Sequence, residues 1–450
     1  MSEVDRREFI KIAGAGTGAF LAGSKQAPAF LKSGLASTNV VIVGGGSWGG
    51  WTGLNLRRLG AKVTIIDMYG PGNARSTSGD ESRGVRSSYG DRTTDYGDHK
   101  QGEQWMKWAR VAMDKWKTFD AEFSKPLKMH VYYKTGDVIM RTGEESFTKQ
   151  TREWWEKYKI PHEVLTGDEV RKRWPQWKTD DINYALFEPD AGVVRARRSC
   201  EAVAEVFKGE GGTIVIDRVI PPEAGFNGSE IKTVNGATFG ADLFVFCVGP
   251  WLYKTFDDMK NRMRTPMGQV FYWGTPPGDQ RFTYPNMPSW NFPGVTGWAA
   301  LPNDSRGFRV RGGGGGRRPA NPNSQVPGQT AGAAPAAGAQ PSANAPAAVP
   351  PTSPLSTAQA PAPGTNLSGL PFNVTDPDLS SRFVESDRVP NARAFLESRF
   401  PDLKDMPLLA THACHYEQTS SGNFIIDRHP SLKNLWIVRA ATPKASSSVR

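Results

Sequence analysis

The run Val40-Val41-Ile42-Val43-Gly44-Gly45-Gly46-Ser47-Trp48-Gly49-Gly50 constrains this chain more than any other segment. Apolar β-formers lead straight into Gly44-x-Gly46-x-x-Gly49, a helical stretch follows, and a second apolar strand from Lys62 to Ile66 ends at Asp67. Each glycine has a physical task. Gly44 permits a tight turn, Gly46 lets a pyrophosphate approach the backbone, and Gly49 lets the helix pack closely on the strand. The helix N-terminus then faces the phosphates with its unpaired N–H groups. Asp67 lies near the spacing at which an acid accepts hydrogen bonds from the adenosine ribose. The unit from about Thr38 to Asp67 therefore predicts a dinucleotide-binding βαβ fold, with Gly44, Gly46, Ser47, Trp48, Gly49 and Asp67 at the ligand. The motif alone does not choose between NAD and FAD.

A length of 450 residues allows one large or two medium domains with a substantial core. Three cysteines, Cys200, Cys247 and Cys414, argue against a disulfide scaffold, and their spacing marks no zinc site, so no metal is expected. The net charge of +10 invites a nucleic-acid reading. However, five arginines and no acids fall between Arg306 and Arg318, and the remaining excess is spread without a basic, aromatic-interleaved face. Nucleic acid is therefore not an expected partner.

The first 29 residues read as a leader. Asp5-Arg6-Arg7-Glu8-Phe9-Ile10-Lys11 resembles a twin-arginine export signal, a Gly/Ala-rich segment follows to Gly23, and Ala27-Pro28-Ala29 offers a cleavage site. The segment is too short and glycine-rich for a stable membrane span. The expectation is export by the twin-arginine machinery to the periplasm or another extracytoplasmic space. That route carries folded proteins, which suits a chain that acquires a large cofactor first.

Beyond the first unit, Trp105, Trp108, Ala109, Ala112, Trp116, Phe119 and Phe123 recur at helical spacing and predict a buried helix face. Strand-like patches fall at Val131 to Met140, Ala185 to Val194, Thr213 to Asp217, Ala241 to Val248 and Gln269 to Trp273, with a helix at Ala202 to Phe207. Residues 38–311 form the first structured part. Residues 312–375 are a Pro/Ala/Gly-rich insertion, uncharged from Pro319 to Thr375, that cannot bury enough apolar surface to order itself. Structure is expected again over 376–450, with a helix near Asn391 to Arg399 and strands at Thr411 to Tyr416, Phe424 to Ile426 and Leu435 to Val438.

Two clusters carry candidate chemistry. In Ser76-Thr77-Ser78-Gly79-Asp80-Glu81-Ser82-Arg83-Gly84-Val85-Arg86-Ser87-Ser88-Tyr89-Gly90, two arginines lie three apart, soon after the ribose-binding acid. One suits an anionic cofactor ring and the other a bidentate pair with a substrate carboxylate. The residues by themselves favour a solvated loop with surface arginines. In Cys414-His415-Tyr416…Phe424-Ile425-Ile426-Asp427-Arg428-His429-Pro430, neither Cys414 nor His429 has the spacing of a nucleophile pair, and singly each reads as structural.

In this order, the glycine loop, the Gly-Asp…Arg-x-x-Arg-x-x-Tyr-Gly segment and Cys-x-Tyr…Phe-Ile-Ile-Asp-x-His-Pro resemble the FAD-dependent D-amino-acid oxidase superfamily. The likeness is greatest to its monomeric sarcosine oxidase branch and spans about Asn39 to Val438 outside the insertion. It implies an α/β fold, an FAD-binding Rossmann-like domain interleaved with a mainly antiparallel β substrate domain. It further implies that Val219 contacts the adenine, Ser78 belongs to the cofactor site, and Arg83 lies against the flavin. Arg86 would hold a substrate carboxylate, Tyr416 would line the substrate pocket, and Cys414 matches the position that forms a thioether to the flavin. The implied substrate is a small secondary amine or N-alkyl amino acid, losing hydride from a carbon bonded to nitrogen.

Two departures qualify the resemblance. Gly307-Phe308-Arg309 stands where the oxidases carry a Gly-x-Lys whose lysine promotes reaction with oxygen, and a larger planar guanidinium does not replace an ammonium conservatively. Slow peroxide formation is expected and an electron acceptor other than oxygen stays open beside oxygen itself, with Arg309 still counted among the catalytic candidates beside Arg83, Arg86 and Tyr416. After Val438 the family's Gly-rich turn and its carboxylate-binding lysine are replaced by Arg439 to Arg450. A reading-frame shift over Ala441 to Arg450 is the expectation, since one codon choice read a base earlier encodes HAEGFKLGP. An NAD(P)-dependent dehydrogenase and a catalytically impaired flavin-binding protein stay open as alternatives.

Overall fold

A computed structural model describes residues 35–90, 100–223, 225–303, 306–312, 376–386, 388–419 and 424–439. The expected leader, nearly all of the insertion and the altered tail after Arg439 lie outside these residues. In chain order the first elements are β1 (Asn39–Val43), α1 (Ser47–Arg58), β2 (Lys62–Asp67), β3 (Arg83–Val85), α2 (Lys100–Leu127), β4 (Tyr132–Tyr133) and β5 (Asp137–Arg141). There follow α3 (Ser146–Lys157), β6 (Glu163–Thr166), α4 (Gly167–Arg173), β7 (Tyr184–Glu188), β8 (Gly192–Val194), α5 (Ala196–Gly209) and β9 (Thr213–Ile216). Next are β10 (Glu230–Lys232), β11 (Thr238–Gly240), β12 (Leu243–Phe246), α6 (Leu252–Thr255), β13 (Met263–Arg264), β14 (Met267–Trp273), β15 (Ser289–Phe292), β16 (Val295–Trp298) and β17 (Phe308–Arg311). The last are α7 (Arg388–Arg399), β18 (Leu408–His415), β19 (Gln418–Thr419), β20 (Ile425–Arg428) and β21 (Leu435–Arg439).

The nucleotide sheet has the order β20-β21-β12-β1-β2-β9. All neighbours run parallel except β20 against β21. Such a sheet is covered on both faces, so its strands read as unbroken apolar runs. Alternation sends Val40 and Ile42 to one core, with Leu54 of α1 and Val203, Val206 and Phe207 of α5. Val41 and Val43 go to the other core, with Phe244, Phe246, Leu252 and Ile437.

The second sheet has the order β18-β14-β17-β16-β15-β5-β7-β6 and is antiparallel apart from the β15–β5 pair. One face packs Phe271, Trp273, Trp290, Phe308 and Val310 against Ala392 and Leu396 of α7. Because side chains alternate along each strand, Tyr272, Arg309 and Arg311 turn to the opposite face. Cross-strand pairs share a face. The register Tyr272↔Arg309, Trp298↔Arg309, Gly268↔Cys414 and Asp137↔Glu188 therefore gathers the chemically active residues on this second face.

Several expected bounds shift. The patch at Val131 to Met140 divides into β4 and β5, and Ala185 to Val194 into β7 and β8, because Gly136 (φ +72°) and the Pro189-Asp190 turn interrupt the extended backbone. The helix expected at Ala202 to Phe207 runs from Ala196 to Gly209. On α2, Trp105, Ala109 and Phe119 are buried, but Trp108 is 48% exposed and its ring meets Phe424 at 5.4 Å. The expected stripe is wider than the face α2 buries: a helix turns 100° per residue, so Trp108 lies well off the line through Trp105 and Ala109.

Candidate active site and cofactor cavity

β1 delivers the chain into a glycine loop at the carboxyl end of its sheet, where ligands sit in open α/β folds. Gly44 has φ +101°, and a Cβ there would stand 2.4 Å from the Cys247 carbonyl oxygen. A Cβ at Gly49 would meet the Gly44 carbonyl oxygen at 1.7 Å, so the helix reaches the strand only because that atom is missing. Gly46 is the N-cap of α1, with no side-chain cap and no acid in the first turn, which leaves the N–H groups for an anion. Asp67 Oδ2 accepts from Gly45 N at 2.6 Å, and Oδ1 accepts from Tyr69 N at 2.8 Å and Gly70 N at 2.7 Å. Three backbone donors thus fix the acid in place beneath the loop.

These residues border a cavity of about 470 Å³, within the range of small-molecule and cofactor sites. Of the expected cofactor residues, Gly44, Gly46, Ser47, Trp48, Asp67, Ser78, Arg83 and Val219 line it. Gly49 and Cys414 do not line it, and Cys414 reaches it only through its contact with Arg83. Val219, held by a bridge to Thr233, lines the cavity together with Asp217 and Arg218. The segment from Asp376 to Arg382 crosses nearby: Trp251 Nε1 donates to Asp378 Oδ1 at 2.7 Å, and Lys254 Nζ to both Asp376 carboxylate oxygens at 3.0 Å. A glycine cradle, uncapped helix N–H groups and a fixed acid at one wall fit a dinucleotide.

Arg83 joins this cavity to the functional face of the second sheet. Its Nη1 donates to Asp80 Oδ2 at 2.9 Å, and its Nη2 to Thr77 O at 2.8 Å and to Cys414 Sγ at 3.2 Å. Asp80 is buried and also accepts from Arg309 Nη2 at 2.7 Å, Tyr272 Oη at 2.7 Å and Glu81 N at 2.8 Å. Burial alone would raise the Asp80 carboxyl, yet Arg309 and Arg83 hold it well below the usual carboxylate range. Burial likewise opposes ionisation of Cys414, but the Arg83 charge and a hydrogen bond from His412 bring the thiol down to about 6. These neighbours favour the thiolate, the nucleophilic form of the residue.

Arg309 is fully buried, with its Cζ 4.0 Å from the centroid of Trp298. Asp80 and the indole face together compensate its charge. Arg86, expected to clamp a carboxylate, has Nε 3.8 Å from buried Asp137 Oδ2. A second buried carboxyl, Glu188, lies opposite Asp137 in the β5–β7 register. Tyr416, half-buried, receives the Arg311 guanidinium over its ring at 5.9 Å. Sequence reasoning passed over Arg311. Burial, then repulsion from Arg83 and Arg309, lowers its guanidinium to about 10. Its i+2 spacing from Arg309, which puts both on one face of an extended strand, was the available signal. His429 accepts from Leu432 N at 3.2 Å and stands apart from this cluster, as a structural turn residue. No group of three His, Cys, Asp or Glu among the described residues is arranged to hold a metal, and no described helix is long and apolar enough to cross a membrane.

The family described as FAD dependent oxidoreductase matches this chain over residues 39–444. Monomeric sarcosine oxidase of Bacillus sp. (strain B-0618) is 26% identical over 218 residues, 48% of this chain and 52% of that protein. A putative sarcosine oxidase of Caenorhabditis elegans is 29% identical over 238 residues, 53% of this chain and 57% of that protein. The chain thus spans little more than half the length of these curated relatives. In three dimensions it is similar to glycine oxidase from Geobacillus kaustophilus, with a TM-score of 0.62 at 15% identity, covering 91% of this chain and 92% of that one. That likeness bears on the fold.

Proposed function

This chain belongs to the FAD-dependent oxidoreductase family, and we propose that it oxidises the carbon–nitrogen bond of a secondary amine or N-alkyl amino acid. The observation that carries the reading is Arg83, which lines the dinucleotide cavity while donating to the Cys414 sulfur. The glycine loop, Asp67, Ser78 and Val219 would hold the adenosine and pyrophosphate, and Arg83 and Cys414 the flavin end. FAD bound there supplies the acceptor for a hydride leaving a carbon next to an amine nitrogen. The thiolate beside Arg83 favours a covalent link through Cys414. The relatives named sarcosine oxidase support an N-methyl amino acid as the substrate class.

For a substrate carboxylate, Arg311 is the better clamp. The Arg86 charge is already opposed by Asp137, whereas Arg311 makes no ion pair among the described residues and sits beside Tyr416. The Asp80–Arg309 pair supports an electron acceptor other than oxygen, because the cation above the site is spent on a buried carboxylate. The twin-arginine segment supports export of the loaded protein, and fractionation of cells with and without the Arg6-Arg7 pair tests it.

The deciding experiment is an anaerobic screen of N-alkyl amino acids and other amines against the flavin absorbance. Bleaching by at least one is expected, with slow peroxide release once air is admitted. Bound flavin that no amine reduces would overturn the assignment, and fast oxygen-dependent turnover would overturn the reading of Arg309.

A further inference from the structure

The cofactor cavity contains an arginine that neither the glycine loop nor the oxidation chemistry accounts for. β21 ends at Arg439, whose side chain lines the cavity yet is only 1% exposed. Its Nε, Nη1 and Nη2 all lack a hydrogen-bond partner. Burying guanidinium donors unpaired is costly, so an arginine in this state calls for an acceptor from outside the chain. Glu417, also buried, lines the same cavity. Burial lowers Arg439 to about 10 against the pull of Glu417, and raises Glu417 to about 7 against the pull of Arg439. The topology agrees. β21 runs parallel to β12, which runs parallel to β1, so Arg439 leaves the sheet at the same end as the glycine loop.

We propose that Arg439 is an anion-binding residue of the cofactor site, donating to a negatively charged group of bound FAD, with Glu417 tempering its charge. Two groups of FAD share that chemistry: the pyrophosphate and the reduced flavin ring. In either case the negative group replaces the missing hydrogen-bond acceptors, and a bidentate guanidinium suits both.

The test measures FAD and ADP binding to apoprotein, and the midpoint potential of the flavin in the loaded enzyme, for wild type, Arg439→Met and Arg439→Lys, with the binding arm carried in a Cys414→Ala background so that the flavin exchanges. Loss of a hydrogen bond to a charged group predicts a loss of affinity of roughly 10- to 100-fold in Arg439→Met, for whichever form of the cofactor carries that charge. Arg439→Lys should recover most of it. If the pyrophosphate is the anion, ADP binding falls in step with FAD and the potential stays put. If the reduced ring is the anion, ADP is spared, and the potential falls by about 30–60 mV because reduced flavin loses that factor relative to oxidised. Unchanged FAD affinity, ADP affinity and potential in Arg439→Met would overturn the proposal. Glu417→Gln keeps Arg439 in place and is expected to tighten the same ligand; unchanged or weaker binding counts against the pair even if Arg439→Met does not fold. The proposal rests on FAD filling this cavity: wild-type apoprotein that binds no FAD defeats that reading, whereas wild type and Arg439→Met binding it equally and holding it at the same potential defeats only this one.

Discussion

Replacing Asp80 with asparagine isolates the knot that ties the two sheets' functional residues together. Asparagine keeps the shape, and its oxygen can still accept from Tyr272 Oη and Glu81 N, which both use Oδ1. The other oxygen becomes an amide NH2, a donor that faces the donors Arg309 Nη2 and Arg83 Nη1. Arg309 then has no acceptor at all, because its Nε and Nη1 already lack partners. Breaking one side of a buried ion pair costs about 3–5 kcal/mol. Arg83 adds little, since its side chain is 29% exposed and an exposed pair contributes about 1 kcal/mol or less. Trp298 retains its hold on the guanidinium, placing the expected loss near 3–4 kcal/mol. The assay is equilibrium urea unfolding of the loaded enzyme, followed by tryptophan fluorescence and circular dichroism, with coincident transitions required. The control is a cycle with Arg309→Met. Once the orphaned cation is gone, Asp80→Asn should cost only about 1 kcal/mol, so the coupling should be roughly 2–3 kcal/mol. A loss below about 1 kcal/mol in the single variant, or additive costs in the double, would refute the compensation assigned to Asp80. Because the Asp80 carboxyl is depressed, its contribution is complete above its ordinary value near 3.8 and disappears only in stronger acid.

Three further outcomes follow from the geometry. Acid precipitation should leave flavin in the pellet of wild-type protein and free in the supernatant of Cys414→Ala; free flavin from both shows that the link is non-covalent. Glu188 is pushed up to about 6 from 4.5 by burial, so the folded state binds more protons than the unfolded state across that window. Stability should therefore fall as pH rises from about 4.5 to 6, by roughly 2 kcal/mol, and Glu188→Gln should flatten that slope in pH-dependent urea melts. Gly49→Ala forces a Cβ to within 1.7 Å of the Gly44 carbonyl oxygen. It should cost about 1–3 kcal/mol and lower the flavin-to-protein ratio on purification; full occupancy would show that the loop yields more easily than packing allows.

The nucleotide half of the site was legible because its tasks are local. Gly44, Gly46, Gly49 and Asp67 act within a single strand–helix–strand unit, and each has a role readable from residue type and spacing. Arg83 and Cys414 are 331 positions apart, and only the resemblance linked them before their contact at 3.2 Å was seen. Asp80 was legible only as part of the Gly-Asp motif, because its meaning lies in Arg309 and Tyr272, which the antiparallel register brings to one face from 229 and 192 positions away. Arg86 was legible as a charge but not as a charge already opposed, since Asp137 arrives from another strand. Arg439 could be noticed in the sequence only as a departure. Its burial without partners is a property of the packed sheet.

β21 lies inside the nucleotide sheet, between β12 and β20, although it is the last strand of the described chain. During synthesis β1, β2, β9 and β12 are therefore all made before the strand that covers the β12 edge, and Phe244 must wait for Leu435. An open apolar edge of that kind is slow to pair and prone to join with other chains. The nascent protein should hold this half of its fold unfinished until β21 emerges, and through that interval the bare β12 edge needs shielding from other chains.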